Sequence, residues 1–314
     1  MILLSGIAGS PQQTVAVFGA GLIGSAVARA LSSHAALVRR TIRFAWQPVP
    51  LAPGLAAVEE EIAAELSKAK GNARRLSFLW SAGRAGFSAR PHETTDELES
   101  FRAVLALAAR LAARFHDAAV AFHLISSAGG LFEGHRLVGA DAVPAPRRAY
   151  SFLKQQQEDL LAGSPLTGRV YRLSSVYGWV TPGHRIGLIS VLLLNGIRRL
   201  VTPISGWMST QRDFVFVEDV ADFVARAILS DDASAALPPY LLAQGRPSSI
   251  WEVQRLVEAV LGHRIYVSYS LSPDNGDDTT FSRAALPLFW RPSDLGSNIR
   301  RIYREALRSG AAFS

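Results

Sequence analysis

The sequence predicts an α/β fold, a doubly wound parallel sheet with helices on both faces and a smaller C-terminal α/β lobe. The chief observation is that short apolar runs alternate with helical patterns between residues 14 and 173. A second is the length of 314 residues with 49% hydrophobic side chains, which is enough for a large core. A third is that the alternation loosens beyond Tyr177. We therefore expect a first domain over residues 1–177 and a smaller lobe over residues 178–314, with the chain able to cross back between them.

Apolar runs predict the strands of the first domain. Continuous runs of this length are typical of parallel strands that are buried on both faces, and they cover residues 14–18, 41–46, 76–80, 118–125 and 169–173. Helical spacing between the runs predicts helices over residues 22–33, 56–68, 94–115 and 148–162. Thr94 and Glu97 have the spacing of a capping box, so we expect the third helix to begin there.

The second lobe has a sparser pattern. Helical spacing predicts helices over residues 186–197, 217–229 and 250–261. Short apolar runs predict strands over residues 240–243 and 265–270.

Composition excludes several classes of protein. The chain has no cysteine, which excludes disulfides, thiolate catalysis and cysteine-ligated metals. The net charge of +7 comes from scattered arginines and not from a basic run, so we expect no nucleic-acid partner. The seven histidines show no HxxxH or HExxH spacing, so we predict no metal.

The apolar segments also bear on location. The longest, at residues 186–194, falls far short of the ~20 residues needed to span a bilayer. The N-terminal residues lack the basic start and the apolar length of a signal peptide. We therefore expect a cytoplasmic protein that does not bind membranes.

A glycine-rich turn follows the first predicted strand. Gly19, Gly21 and Gly24 form GxGxxG at the start of a helix, with Leu22 and Ile23 between the last two. In such a turn the first glycine permits a tight bend, the second lets a pyrophosphate approach the backbone, and the third lets the helix pack on the strand. The helix N-terminus then faces the phosphates with free N–H groups. All five residues are predicted to bind a dinucleotide.

The residues around the second predicted strand bear on which dinucleotide binds. An acidic residue is expected about 20 residues after the turn, where it would accept a hydrogen bond from the adenosine ribose. The strand ends instead on Trp46 and Gln47. Three nearby arginines either suit the 2′-phosphate of NADP or are plain surface charges: Arg39, Arg40 and Arg43. We expect NAD or NADP and favour NADP.

A phenol and an amine share one face of a predicted helix. Tyr150 and Lys154 are four residues apart, about one turn. Free tyrosine titrates near ~10, so a phenolate at neutral pH needs a nearby positive charge, which a lysine ammonium provides. Ser126 and Ser127 end the preceding strand, where a hydroxyl can hold a substrate oxygen beside Tyr150. This combination predicts an enzyme that transfers a hydride to or from a nicotinamide.

With these motifs, the chain resembles the extended short-chain dehydrogenase/reductases, the NAD-dependent epimerase/dehydratase group with a Rossmann-type fold, which acts mostly on nucleotide sugars. The resemblance extends from about residue 15 to residue 251. It includes RVYRLSSVYG from Arg169, which resembles the family's turn into the substrate lobe. It also includes QRDFVFVEDVADFVARAI from Gln211, which resembles the segment with a phosphate-contacting arginine.

The resemblance implies a role for each matching residue. Tyr150 would be the acid/base, and Lys154 would orient the nicotinamide ribose. Ser127 would bind the substrate oxygen, with Ser126 as the alternative. Two further positions would bind the phosphates of the substrate: Arg212 and Ser175. On the residues alone, Arg212 can equally form a surface salt bridge to Asp213 or Glu218.

The sequence departs from the family pattern at positions that concern the cofactor and at positions that concern the reaction. The glycine turn is one residue shorter than the usual GxxGxxG, and the predicted strands include none that ends in Asp between residues 46 and 76. The dehydratases of the family follow the serine position with an acid pair, whereas Ala128 and Gly129 stand here. The missing acid pair argues against dehydration. The reactions that we still expect are epimerisation at a carbon bearing a hydroxyl and reduction of a keto-sugar.

Two other functions stay open. The residues expected to contact the adenosine of the cofactor depart from the family pattern, as described for the second predicted strand. This is compatible with a dinucleotide-binding sensor or scaffold that has little turnover. A reductase of a non-sugar carbonyl would use the same serine, tyrosine and lysine. By analogy with the family we also expect a homodimer formed through residues 95–115 and 148–162.

Overall fold

The computed structural model describes residues 1–6, 12–35, 37–43, 52–68, 74–83, 85–86, 89–179, 186–230, 238–270 and 277–310. The chain forms two compact units. The first unit comprises Met1–Leu131, Pro146–Arg172 and Ala221–Tyr240, and the second comprises Phe132–Ala145, Leu173–Val220 and Leu241–Ser314. The domain boundary expected after Tyr177 lies close to one of the points where the chain changes unit, at Arg172.

Strands and helices alternate through the first half of the chain. The strands are β1 (Ile2–Gly6), β2 (Gln12–Phe18), β3 (Val38–Thr41), β4 (Arg74–Trp80), β5 (Ala118–Ser127) and β6 (Thr167–Leu173). The helices are α1 (Leu22–Ala35), α2 (Ala52–Ser67), α3 (Pro91–Arg114), the short α4 (Ala128–Leu131) and α5 (Ala149–Ala162).

The remaining elements are shorter. The strands are β7 (Ser175–Tyr177), β8 (Val201–Ser205), β9 (Gln211–Arg212), β10 (Phe214–Phe216), β11 (Tyr240–Leu242), β12 (Ser248–Ser249) and β13 (Tyr266–Ser270). The helices are α6 (Leu188–Ile197), α7 (Val217–Ser230), α8 (Ile250–Leu261) and α9 (Leu295–Arg308). The predicted elements do not include α9.

The central sheet has seven strands in the order β11-β6-β5-β4-β2-β1-β3. β2 pairs in parallel with β4, and β4 pairs in parallel with β5. Helices lie between successive parallel strands along the chain, since a parallel neighbour can be reached only by a crossover connection. The predicted α/β fold with a doubly wound, mostly parallel sheet is therefore confirmed.

The N-terminal strand changes one edge of this sheet. β1 pairs antiparallel with both β2 and β3, so that Ile2 lies opposite Val17 on one side and Thr41 on the other. With strands spaced about 4.8 Å apart, β3 lies about 10 Å from β2 and not beside it. The second strand, predicted over residues 41–46, forms at Val38–Thr41, and residues 44–51 lie outside the described part of the chain.

Aromatic side chains dominate the core of the first unit. Phe78 stacks between Phe18 and Phe122, with ring centroids 6.3 Å and 6.0 Å apart. Phe101 of α3 meets Trp80 and Phe122 edge-on. All five rings are at most 1% exposed. This packing fixes α3 against the sheet, so the direction of its other side chains is well determined.

The second unit has a core of its own around small sheets. β7 pairs in parallel with β10, β8 pairs in parallel with β13, and β9 pairs antiparallel with β12. The buried residues that join these strands to the helices include Tyr177, Ile189, Phe216, Val253 and Ile302. Among the helices that the structure describes, none is long and apolar enough to cross a membrane.

Candidate active site

The three glycines of the turn after β2 occupy different surroundings. Gly19 has a φ of +100°, and a Cβ there would lie 2.4 Å from the backbone nitrogen of Ala82. A Cβ on Gly24 would lie 1.8 Å from the carbonyl oxygen of Gly19 and 2.4 Å from Ser81 Oγ. A Cβ on Gly21 would have nothing within 4 Å. The turn is thus tight at Gly19, closely packed at Gly24 and open at Gly21.

This geometry suits a dinucleotide. α1 begins at Leu22, directly after the open position, and its first N–H groups have no partner within the helix. Such a helix start attracts phosphate through those N–H groups and the helix dipole. The backbone around Gly21, Leu22 and Ile23 would hold the pyrophosphate.

Tyr150 and Lys154 lie on the same side of α5, as their spacing predicts. Lys154 Nζ is 5.8 Å from the centre of the Tyr150 ring. The Lys154 residue is 6% exposed. The amine of Lys154 is therefore buried beside the Tyr150 ring.

Ser127 reaches the same region from the end of β5. Its hydroxyl accepts a hydrogen bond from the N–H of Gly130 at 3.1 Å. A Cβ placed on Gly130 would lie 3.2 Å from Tyr150 Cε1 and 3.3 Å from both Ser127 Oγ and Ser151 Oγ. Ser127 and Tyr150 therefore converge on one point, and glycine leaves room there.

Ser126 points elsewhere. Its hydroxyl donates to Glu158 Oε1. Arg172 binds the two carboxylate oxygens of Glu158 with three hydrogen bonds of 2.7–3.1 Å. The Ser126 hydroxyl thus belongs to a buried ionic network, which leaves Ser127 as the better candidate for the substrate oxygen.

Two groups around Lys154 are absent from the predicted site. Gln157 Oε1 accepts a hydrogen bond from Lys154 Nζ at 3.0 Å, and Glu97 Oε1 lies 3.6 Å from the same nitrogen. The side chains of Glu97 and Lys154 are both 8% exposed.

The capping box predicted for Thr94 and Glu97 is wrong. The helix start explains this error. α3 begins one turn earlier, at Pro91, and the carboxylate of Glu93 accepts from the N–H of Arg90 at 2.7 Å. A T-x-x-E pattern looks the same whether it begins a helix or lies inside one. Glu97 therefore lies in the body of α3, where it faces Lys154.

The three arginines in and after β3 differ in their ion pairs and exposure. Arg40 forms ion pairs with Glu61 at 2.6 Å and Glu65 at 3.5 Å. Arg39 and Arg43 are exposed. Trp46 and Gln47 lie outside the described residues.

In the second unit, Arg212 and Ser175 adjoin a buried carboxylate. Arg212 donates to the carbonyl oxygens of Gln211 and Asp277. Asp213 is 1% exposed, and its carboxylate accepts from Gln244 N–H at 2.6 Å, Gly245 N–H at 2.8 Å and Ser174 Oγ at 3.0 Å. Its burial raises the pKa of Asp213.

A polar cavity lies next to Arg212. It has a volume of about 550 Å³ and is lined by Gly134, Arg136, Ser209, Thr210, Gln211, Asp277 and Asp278. Arg136 pairs with Asp278 at 2.6 Å, and Asp278 also accepts from the N–H of Gln211 at 2.7 Å.

Within the described residues, no group of three or more histidine and acidic side chains is placed to hold a metal ion.

The chain belongs to the NAD dependent epimerase/dehydratase family, which it matches over residues 15–242. This match covers the glycine turn, the Ser127–Tyr150–Lys154 group and Arg212. No curated protein matches the sequence significantly.

Solved structures similar to this chain share its fold. UDP-glucose 4-epimerase from Thermotoga maritima is 17% identical with a TM-score of 0.72, over 94% of this chain and 98% of that one. UDP-glucuronic acid 4-epimerase from Bacillus cereus, solved with UDP-glucuronic acid and NAD, is 16% identical with a TM-score of 0.72, over 94% and 99%. RMD from Pseudomonas aeruginosa, solved with NADPH, is 18% identical with a TM-score of 0.70, over 94% and 98%.

Proposed function

We propose that this protein is a nicotinamide-dependent epimerase or reductase that acts on a nucleotide sugar, with Tyr150 as the acid/base. The observation that carries the proposal is the convergence of Tyr150 and Ser127 on Gly130, with the Lys154 ammonium 5.8 Å from the Tyr150 ring. The same unit carries the open glycine turn at Gly21.

Each side chain has a definite task in this proposal. The Ser127 hydroxyl donates a hydrogen bond to the substrate oxygen. The Tyr150 phenol exchanges a proton with that oxygen, and the Lys154 ammonium stabilises the phenolate that results. A bound nicotinamide supplies or accepts the hydride. Atoms of the turn around Gly21 hold its pyrophosphate, as the open space there allows.

The substrate class rests on the second unit. Arg212 lies beside a polar cavity of about 550 Å³ and is our candidate for the diphosphate of the substrate. Ser175, whose N–H donates to the carbonyl oxygen of Asp213 at 3.0 Å, is the second candidate. Solved relatives of the fold were crystallised with UDP-glucose and with UDP-glucuronic acid. A nucleotide sugar therefore fits the proposal better than a non-sugar carbonyl.

The proposal includes both NAD and NADP. The preference for NADP drawn from three arginines is weakened, because Arg40 is paired with Glu61 and Glu65. Arg39 and Arg43 remain as candidates for a 2′-phosphate, but β3 is separated from the glycine strand by β1. Calorimetric titration of the purified protein with NAD, NADH, NADP and NADPH decides between them.

Replacement of the phenol tests the reaction. We expect Tyr150→Phe to bind the preferred cofactor within about threefold of wild type, since only the hydroxyl is lost. Turnover of UDP-sugars, followed by nicotinamide absorbance and product analysis, should fall by about 10²–10⁴-fold because the proton-transfer group is gone.

Each other outcome has a clear meaning. Unchanged turnover in Tyr150→Phe would refute the assignment of the acid/base. Cofactor binding by a wild-type protein that turns over no sugar or other carbonyl would indicate the dinucleotide-binding sensor or scaffold instead. Turnover of a carbonyl compound without any binding of nucleotide diphosphates would move the substrate out of the sugar class.

A further inference from the structure

The carboxylate of Glu97 is buried beside Lys154. Its Oε1 atom lies 3.6 Å from Lys154 Nζ, and both side chains are 8% exposed. Burial of a charged group is costly unless a charge of opposite sign and hydrogen bonds compensate. The placement of a carboxylate at this depth therefore calls for a partner, and Lys154 provides it.

The other oxygen of this carboxylate reaches the loop after β4. Glu97 Oε2 accepts from the N–H of Ala85 at 3.2 Å. The carboxylate also lies against Gly83, where a Cβ would come within 2.6 Å of Oε1. A side chain at this position would displace the Glu97 carboxylate from its present place.

The same loop supports the glycine turn. Ser81 Oγ donates to the carbonyl oxygen of Gly19 at 2.8 Å and to that of Phe18 at 3.1 Å. Gly19 in turn packs on the backbone of Ala82. A continuous set of contacts thus joins Lys154, through Glu97 and the loop, to the dinucleotide-binding turn.

Glu97 and Gln157 together restrict the Lys154 ammonium. An ammonium has three N–H donors. One is directed at Gln157 Oε1 at 3.0 Å, and the charge of the Glu97 carboxylate attracts the ammonium from 3.6 Å without a direct hydrogen bond. The position of the ammonium relative to the Tyr150 ring is thereby set by two groups outside the predicted site.

We propose that Glu97 is a positioning residue that holds Lys154 in its reactive place through their ion pair and ties it to the loop behind the glycine turn. The inference rests on the proposed roles of Tyr150 and Lys154. It explains why a buried acid is retained where an apolar side chain would pack at lower cost.

A set of variants separates the charge of Glu97 from its shape. Glu97→Gln keeps the acceptor for Ala85 N–H and the volume but removes the charge, whereas Glu97→Asp keeps the charge on a shorter side chain. We expect kcat to fall about 10–100-fold in Glu97→Gln, with KM for the sugar within about threefold, because misplacement of a catalytic group lowers the rate of the chemical step. Glu97→Asp should retain more activity than Glu97→Gln.

A double-mutant cycle makes the test specific to Lys154. In a Lys154→Met background, the further change Glu97→Gln should lower kcat less than twofold, because the partner is already gone. Glu99→Gln is the matched control: it removes an exposed carboxylate from the same helix, paired with Arg102 at 3.2 Å, and should leave kcat unchanged. Thermal unfolding of each variant shows whether it is folded.

The results distinguish this inference from the proposed function. Loss of turnover in Tyr150→Phe and Lys154→Met together with full activity in Glu97→Gln would overturn the role of Glu97 alone. A Glu97→Asp variant less active than Glu97→Gln would also overturn it, since shape and not charge would then matter. Full activity in Tyr150→Phe would overturn the proposed function first. If Glu97→Gln does not fold, the same double-mutant cycle is measured with Glu97→Asp and Lys154→Met. An effect of Glu97→Asp on kcat that is as large without Lys154 as with it would then overturn the role of Glu97.

Discussion

At the scale of single residues, two neighbouring serines at the end of β5 have different partners. Ser126 bonds to Glu158, which Arg172 also binds, whereas Ser127 accepts from the N–H of Gly130 near Tyr150. Both Glu158 and Tyr150 lie on α5, so what separates the two serines is the ionic network around Glu158. The sequence left both serines open as substrate ligands, because it does not show which of them this network engages.

The glycines of the turn also differ in what a side chain would meet. Gly24→Ala places a Cβ 1.8 Å from a backbone carbonyl oxygen, which no rotamer change can relieve. Gly21→Ala places a Cβ in open space. We expect Gly24→Ala to lower the free energy of unfolding by more than about 2 kcal/mol. Gly21→Ala should change it by less than about 1 kcal/mol and weaken dinucleotide binding at least about tenfold.

Urea unfolding and calorimetric titration of the two variants check this contrast. Equal stability of the two variants would contradict the packing described for Gly24. Wild-type cofactor affinity in Gly21→Ala would show that the dinucleotide does not approach the turn at this point.

At the scale of elements, β1 shows how a short apolar segment can escape prediction. Ile2, Leu3 and Leu4 are at most 1% exposed, and their strand is paired on both sides, with β2 and with the edge strand β3. In the sequence they are only an apolar run too short for a signal peptide. Their partners, on β2 and β3, become visible only when the strands are paired.

α9 offered a clearer signal that the predicted elements leave out. Its buried residues Asn298, Ile299, Ile302 and Ala306 recur at the three- and four-residue spacing of a helix face. Asp294 precedes the helix as its N-cap, with its carboxylate accepting from the N–H of Ser297 at 2.8 Å. The pattern is present in the sequence, in a segment that also carries Arg300, Arg301, Arg304 and Arg308.

The cap of α9 should make part of the stability depend on pH. The backbone N–H of Ser297 lowers the pKa of Asp294 below its ordinary value of 3.8. Because the folded-state pKa is depressed, the contribution is complete above the unfolded value and is lost as the pH falls through the folded value. We expect Asp294→Ala to cost about 1 kcal/mol at neutral pH and progressively less below about pH 4.

A second cap provides the control. Ser249 caps α8 by accepting from the N–H of Glu252 at 3.1 Å, and a hydroxyl does not titrate in this range. The cost of Ser249→Ala, from urea unfolding at several pH values, should therefore change less with pH. An Asp294→Ala cost that stays constant down to about pH 3 would show that the ionised carboxylate is not the capping group.

At the scale of the whole molecule, family membership and fold agree. The match over residues 15–242 begins at the glycine strand and ends on β11, so it includes most of the central sheet. The β1 strand lies outside the match, and the predicted strands do not include it.

A homodimer through α3 and α5 remains our proposal for the assembly. The two helices pack against each other within one chain. Phe152 on α5 is 51% exposed, as is Trp251 on α8. We expect wild-type protein to sediment as a dimer and Phe152→Asp as a monomer, because a charge would be buried in the interface.

Trp251→Asp tests whether this effect is specific to α5. It introduces the same charge at an equally exposed aromatic position outside the proposed interface and should leave the dimer intact. Sedimentation of the wild type as a monomer, or of Phe152→Asp as a dimer, would contradict the proposal.

The sequence by itself determined the α/β class and the family. It also indicated the candidate site residues Gly19, Gly21, Gly24, Tyr150 and Lys154. These features depend on local periodicity and on spacing within one turn, which are legible along the chain. Only the tertiary structure paired Ser126 with Glu158, inserted β1 beside the glycine strand and brought Glu97 to Lys154. These depend on contacts between segments far apart in sequence, such as the 57 residues that separate Glu97 from Lys154. A side chain's partner across such a distance is fixed by packing, which leaves no periodic trace in the sequence.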